Sequence, residues 1–138
     1  MTALSDNYEV KRKDGELVTV PVLAAAVIYK GALVVDKGTG YASAGVDGSS
    51  YVLLGVAAEK ADNSASGASD GDVSVRLYKT GSFLYNKATA VQTDLGVAVY
   101  IHDDQTVGTS STNSVLAGYV CEYVSSSTLR VRIDRAVA

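Results

Sequence analysis

Two stretches of the chain share a pattern of apolar residues around a single glycine. The first reads Val52-Leu-Leu-Gly-Val-Ala-Ala-Glu59, and the second reads Val115-Leu-Ala-Gly-Tyr-Val-Cys-Glu122. Short runs rich in Val and Leu are typical of β-strands. A glycine inside such a run usually marks a bulge, a bend or a close approach of another backbone. We therefore expect Gly55 and Gly118 to be structural glycines that bend two similar sheets.

The strands that flank these two stretches are repeated in the same order. Gly31–Asp36 resembles Gly96–Ile101, and Val73–Leu77 resembles Leu129–Ile133. The spacing between the two copies is widest at the first match and narrowest at the last, so the order is kept while the gaps shrink. Val-rich strands also resemble one another by convergence, but three matches in one order favour a duplicated unit.

Turns rich in Gly, Ser, Asn and Asp separate these short apolar runs. The predicted strands are Ala32–Asp36, Tyr51–Ala58, Val73–Lys79, Gly96–His102, Val115–Val124 and Thr128–Ile133. Their spacing predicts an all-β fold, a small β-barrel or β-sandwich built from two similar three-strand units, 31–77 and 96–133, that share one core. Both faces of 51–58 are apolar, so this strand should be central or covered. Residues 87–95 should form a turn or one helical turn.

Composition excludes several classes of protein. The chain has 138 residues and a mass of 14.3 kDa, which suits one domain that folds without disulfides or metal. The net charge of -3 argues against a nucleic-acid groove, which needs a basic field. The longest apolar stretch, 17–29, is too short for a membrane helix and does not read as a leader peptide. With a single Cys, the chain fits synthesis in the cytoplasm of the producing cell.

The residues that could carry chemistry do not form a convincing site. His102 and Asp103 are adjacent on a predicted strand and so point to opposite faces, and Asp103–Thr106 reads as a hairpin turn. Cys121 is expected to be a small buried side chain. Gly38-Thr-Gly40 is a turn rather than a phosphate loop. The acidic loop 59–72 offers oxygens to calcium but lacks the full ligand pattern, so a solvated loop is favoured. We expect no enzymatic activity, cofactor or metal.

The segment 1–23 differs from the rest of the chain. Charges alternate over 9–13, Asp14-Gly15 is a hairpin signal, and 16–20 alternates apolar and polar residues up to Pro21. Because proline cannot donate to a ladder, this segment should be an edge strand or a free arm. We expect residues 1–23 to form an arm ordered against a partner, beside a single β domain at 24–138. The residues expected to contact the partner are Tyr8, Val10, Arg12, Lys13, Leu17, Val18 and Val20.

The ordered set of motifs resembles a known family. The set runs through Leu54-Gly-Val-Ala57, Gly71-Asp-Val-Ser-Val-Arg-Leu77, Asp94-Leu-Gly-Val-Ala-Val-Tyr-Ile-His-Asp-Asp104 and Val115-Leu-Ala-Gly-Tyr-Val120. It is similar to the capsid cement, or head decoration, proteins of tailed bacteriophages over about residues 24–134. The resemblance implies a structural protein of the virion that binds the major capsid protein on the outer surface of the expanded head, often as a homotrimer, and stabilises it.

A second function remains open from the residues alone. Tyr-rich strands and a Ser-rich loop also suit a receptor- or glycan-binding module of a phage tail or fibre. Labelling the protein in the particle separates the two, because tail density would reject the head assignment.

Overall fold

A computed structural model describes residues 17–110, 112 and 115–133, and it is built almost entirely of short strands. The only helical element among these residues is a 3₁₀ turn at Gln92–Asp94. The strands are β1 (Leu17–Pro21), β2 (Val27–Ile28), β3 (Leu33–Asp36), β4 (Ala42–Ala44), β5 (Val52–Ala57), β6 (Ala61–Asp62), β7 (Ser74–Tyr78), β8 (Ser82–Asn86), β9 (Ala98–Ile101), β10 (Val107–Gly108), β11 (Leu116–Ser125) and β12 (Thr128–Arg132). All six predicted strands are present close to their expected ends, so the all-β prediction is confirmed.

The strands form two five-stranded sheets with the same internal order. The first sheet runs β1-β7-β5-β3-β4, and the second runs β8-β12-β11-β9-β10, with β2 and β6 forming a separate two-stranded pair. If the five strands of each sheet are numbered one to five along the chain, both sheets have the spatial order 1-5-4-2-3. The expected three-strand units are therefore the centres of two five-strand units, and neither sheet closes into a barrel.

The two units also correspond position by position. Gly55 faces Val34 across the first sheet, and Gly118 faces Val99 across the second. At the edge of the first sheet, Leu17 of β1 pairs with Tyr78 of β7. At the same place in the second sheet, Ser82 of β8 pairs with Arg132 of β12. Strands β8, β9 and β10 follow their counterparts β1, β3 and β4 at one constant spacing along the chain. The spacing is slightly shorter between β5 and β11, and shorter again between the ends of β7 and β12.

The two interior glycines lie at equivalent β-bulges. The pairing shifts between Val34 and Val35 in the first sheet and between Leu116 and Gly118 in the second. A β-carbon on Gly55 would overlap the carbonyl oxygen of Tyr78, and one on Gly118 would overlap the carbonyl oxygen of Arg132. Glycine is therefore required by the close approach of the neighbouring strand in each unit.

Two apolar clusters cover the first sheet on both sides. One cluster contains Leu53 and Val56 of β5 together with core residues of the second sheet such as Val120 and Leu129. The other contains Ala57 of β5 with residues of β2, β6 and β7. Because neighbouring residues of a strand point to opposite faces, β5 contributes to both clusters. The prediction of a central, covered strand at 51–58 is confirmed.

The first residues that the structure describes, from Leu17 onward, belong to the first five-stranded sheet. Strand β1 pairs antiparallel with β7 over its whole length and forms an edge of the sheet, as Pro21 requires. Val22, which follows, is fully buried and bridges Ala42. The expectation that the chain up to residue 23 is ordered only against a partner is therefore corrected for 17–22, because their partner strand lies in the same chain. Residues 1–16 lie outside the described residues, and so do Tyr8, Val10, Arg12 and Lys13.

Candidate interaction surfaces

The second sheet presents one face of mixed aromatic, aliphatic and charged side chains that nothing in the described chain covers completely. Val99, Ile101, Leu129 and Val131 point into the core, so their strand neighbours point outward. We define the outer face as the part of this surface around Tyr119, formed by Ala98, Tyr100, Leu116, Tyr119 and Arg132. Arg130 and Glu122, whose charged groups lie 3.7 Å apart, continue the same surface along β12 and β11. Tyr119 stands between Ala98 and Arg132 in the ladder and is 51% exposed. Tyr and Arg at the centre of an exposed sheet are typical of protein interfaces.

The free edge of β1 is a second candidate surface. Of the expected partner-binding residues, Leu17 and Val18 are 43% and 37% exposed, while Val20 is half-buried and packs against the smaller cluster. Among the described residues β1 pairs with β7 alone, and its other edge has no partner strand there. A strand edge of this kind is the surface to which β-strand addition takes place. The structure thus brings Leu17 and Val18 to one exposed edge and uses Val20 partly for the core.

Specific contacts join the two units to each other. The hydroxyl of Tyr85 donates to the carbonyl of Gly31 at 3.1 Å, and the amide of Leu33 donates to the carbonyl of Asp104 at 2.9 Å. The rings of Tyr78 and Phe83 lie 5.7 Å apart. Burial raises the pKa of the Tyr85 phenol far above its ordinary value, so this hydroxyl stays a donor at any physiological pH.

Several carboxylates hold turns together. Asp36 Oδ1 accepts hydrogen bonds from the amides of Gly38, Thr39 and Gly40, which confirms a turn at this glycine pair. Asp103 Oδ1 accepts from the amide of Gln105 in the β9–β10 hairpin, as expected for a hairpin turn. These acids are engaged in local turn chemistry.

The acidic loop at 59–72 is organised by one buried amide that we did not predict from the sequence. Asn63 is 2% exposed, and its Nδ2 lies 3.1 to 3.2 Å from the carbonyl oxygens of Val22, Leu23 and Ser69. Around it, Asp70 accepts from the amide of Ala24. Because its side-chain amide donates both to Ser69 within the loop and to Val22 and Leu23 just after β1, Asn63 fixes the loop against the end of β1.

The one histidine and the one cysteine of the chain have different surroundings. The ring of His102 packs against Gly108, where a β-carbon would overlap it. Cys121 is exposed, and its Sγ lies 3.5 Å from the carbonyl oxygen of Arg130. The expectation of a buried Cys121 is wrong, because the pairing of β11 with β12 shifts between Val120 and Glu122 and so turns this residue outward. Among the described residues, no group of three His, Cys, Asp or Glu side chains could hold a metal.

The segment predicted as a turn or single helical turn is a 3₁₀ turn fixed by an ion pair. Lys87 Nζ lies 3.2 Å from Asp94 Oδ2, and both side chains are nearly buried. The same carboxylate accepts a hydrogen bond from the amide of Val91 at 3.0 Å. That backbone hydrogen bond, followed by the interaction with Lys87, lowers the pKa of Asp94 below its ordinary value.

Comparison with known proteins decides the family. A family model described as phage cement protein matches residues 12–135. The chain belongs to the phage cement protein family. This confirms the resemblance drawn from the ordered strand motifs, and it makes the chain a member of a structural family that is not a class of enzymes.

The cement-family chain also has a similar solved structure. The crystal structure of the N base of head fibre gp8.5 of bacteriophage phi29 matches with a TM-score of 0.51 and 16% identity. The match covers 86% of this chain and 95% of the other. At this identity the likeness shows a shared fold. No curated protein matches the chain. In the part of the chain that the structure describes, no helix is long and apolar enough to cross a membrane.

Proposed function

We propose that this cement-family protein binds the outer surface of the expanded phage head and stabilises the head against the pressure of packaged DNA. The observation that carries the proposal is the family match over 12–135, which covers both strand units. The partner is the major capsid protein. The net charge of -3 favours the outer surface, because the inner surface faces DNA, which is also negative.

Binding to the mature lattice is sufficient to stabilise it. A protein that binds the intact expanded lattice but not the disrupted shell shifts the equilibrium toward the intact shell by mass action. Ligand at 100 times its Kd contributes about 2.7 kcal/mol per site. A homotrimer that contacts several capsid subunits at once gains further from avidity. We therefore propose a trimer as the form that docks.

The leading segment and the edge of β1 are the proposed contacts with the capsid. Leu17 and Val18 offer exposed apolar side chains on a strand edge that pairs with no other described strand. The segment before them contains Tyr8, Val10, Arg12 and Lys13, which combine an aromatic anchor with two cations. A capsid loop or strand that adds to this edge, with acidic groups nearby, fits that chemistry.

The proposal is tested by mixing the full chain with purified expanded heads that lack it. We expect saturable co-sedimentation and a higher temperature of head disruption. The matched variant lacks residues 1–13, which removes none of the residues that the structure describes. It should bind heads more weakly while keeping the circular dichroism spectrum and melting temperature of the full chain. Failure of the full chain to bind heads would reject the proposal.

A further inference from the structure

A cleft of about 490 Å³ lies where the two strand units meet. The first unit contributes residues 29–32, just before β3, and the second contributes Leu84 of β8 together with Asp104 and Gln105. The hydrogen bonds that join Tyr85 to Gly31 and Leu33 to Asp104 hold the two walls of this cleft together. Clefts between packed units are common places for ligand sites, and this volume is in the usual range for them.

Two exposed apolar side chains line the cleft. Tyr29 is 58% exposed and Leu84 is 50% exposed, and they belong to different units. Gly31, which also lines the cleft, has a φ of +87° and nothing within 4 Å of the position of its missing β-carbon, so the backbone there is open to approach. An aromatic ring, an aliphatic side chain and an open backbone can together receive the apolar face of a ligand.

The polar side chains of the cleft have hydrogen-bonding capacity left over. The carboxylate of Asp104 is half-buried, and among the described residues it forms no ion pair. The side-chain amide of Gln105 has no hydrogen-bond partner in the same part of the chain. Burial and the neighbouring Asp103 raise the pKa of Asp104 above its ordinary value, as expected for a carboxylate with too few donors around it. A ligand that donates hydrogen bonds, such as a hydroxyl group, would satisfy it.

The charges around the cleft favour an uncharged ligand. Lys30 lines the cleft, and the Nζ of Lys60 lies over the ring of Tyr29, 5.2 Å from its centroid. These two ammonium groups disfavour a cationic ligand, while the carboxylates of Asp104 and its neighbour Asp103 disfavour an anionic one. Among the described residues, no group of three acidic, His or Cys side chains could hold a metal. The chemistry of the cleft therefore suits a neutral ligand with hydroxyl donors and an apolar face.

We propose that the cleft between the two units binds a neutral saccharide, which packs a face of its ring on Tyr29 and Leu84 and directs its hydroxyls to Asp104 and Gln105. A pyranose ring combines the two properties that the cleft requires, because its faces carry C–H groups and its edge carries hydroxyls. In the first sheet, β5 and β7 lie between β3, which follows the cleft, and the edge strand β1. Saccharide binding is therefore independent of any attachment to a capsid through β1.

Titration of the isotopically labelled full chain, followed by the NMR shifts of its backbone amides, tests the proposal. The probes are glucose, galactose and N-acetylglucosamine, with maltose, lactose and diacetylchitobiose as disaccharides. At least one neutral sugar should give saturable shifts at residues 29–32 and 104–105, with a millimolar Kd because the cleft is open. Glucosamine and glucuronate, the charged comparators, should bind about tenfold more weakly or worse. Tighter binding of a disaccharide identifies a polysaccharide as the source of the sugar, and equal binding identifies a free sugar.

Two variants and a matched control locate the binding. Tyr29→Ala should weaken the neutral sugar about tenfold, because it removes the aromatic surface. Asp104→Asn should weaken the neutral sugar about threefold or more and should strengthen glucuronate, because a repelling carboxylate is lost. The control, Tyr119→Ala, removes a similarly exposed tyrosine from the outer face and should leave the Kd unchanged. Unchanged melting temperatures show that the variants fold.

Two results would overturn the proposal. One is the absence of saturable shifts at the cleft with every neutral sugar up to about 100 mM, a concentration well above a millimolar Kd. The other is binding by Tyr29→Ala that is as tight as binding by the unmodified chain. Because these measurements use the isolated chain, neither result bears on whether the protein binds phage heads.

Discussion

Replacing Gly118 by Ala tests whether the bulge glycine is required by the approach of the neighbouring strand. A β-carbon there overlaps the carbonyl oxygen of Arg132, and it would lie 2.9 Å from the carbonyl carbon and 3.3 Å from Cα of Ile133. These are backbone atoms, so β12 must move away from β11. Losing about two ladder hydrogen bonds costs about 1 kcal/mol each. Overpacking adds about 1 to 3 kcal/mol. The expected loss of unfolding free energy is about 3 to 5 kcal/mol, or roughly 10 °C or more in Tm for a chain of this size.

The assay is equilibrium urea unfolding followed by circular dichroism, with Gly67→Ala as the control. Gly67 has a φ of +78° in an open loop with nothing within 4 Å of its missing β-carbon. Its replacement carries only the backbone cost, about 1 to 2 kcal/mol. Gly55→Ala should behave like Gly118→Ala, since its β-carbon meets the carbonyl of Tyr78. If Gly118→Ala costs no more than Gly67→Ala, the close approach of the two strands is wrong.

Three further substitutions probe contacts that hold the units and loops. Tyr85→Phe removes the hydrogen bond to Gly31 and should lower the unfolding free energy by about 1 kcal/mol without changing the spectrum, and a neutral result would contradict that contact. Asn63→Ala removes two side-chain N–H donors that join Val22 and Leu23 to Ser69, and it should lower the unfolding free energy by about 2 kcal/mol, measured by urea unfolding. A loss of less than half that value would contradict the role of Asn63 in holding the loop. Asp94→Asn weakens the pair with Lys87 and should cost about 2 kcal/mol near neutral pH. The pKa of Asp94 is lowered in the folded state, so the ionised carboxylate adds to the unfolding free energy fully at pH values above the ordinary pKa of 3.8. This contribution is lost as the pH falls below that value. A difference in unfolding free energy between Asp94→Asn and the unmodified chain that does not change with pH would contradict the ion pair.

The central strands were predictable because their apolar pattern is local. Each of the six predicted runs has several Val, Leu, Ile or Tyr residues between clear turn signals. Strands β4 and β10 have three and two residues, too short for any alternation to be detected. Strand β8 was missed although Phe83, Leu84 and Tyr85 are consecutive. The available signal was the repeat itself, because the spacing that separates Gly31 from Gly96 also relates β1 to β8.

The two corrected expectations, a partner-dependent arm at 17–22 and a buried Cys121, have a common cause, which is long-range pairing. The alternation over 16–20 is compatible with an edge strand and with a free arm, and the partner that decides between them, β7, lies far along the chain, beyond five other strands. Cys121 follows a bulge whose position depends on the pairing of β11 with β12.

The outer face was not predicted, because which face of a strand is covered depends on how two sheets pack. Tyr100 and Tyr119 were noted only as part of a tyrosine-rich chain.

The most direct test of the decoration function is the position of this protein in the assembled phage particle. Cryo-electron microscopy of the particle, with and without a label fused after the last residue, would locate it. We predict ordered density with the shape of two adjoining β units on the outer surface of the head, and label density nearby. Density confined to the tail, or to the interior of the head, would contradict the decoration function, and tail density would favour a receptor- or glycan-binding role.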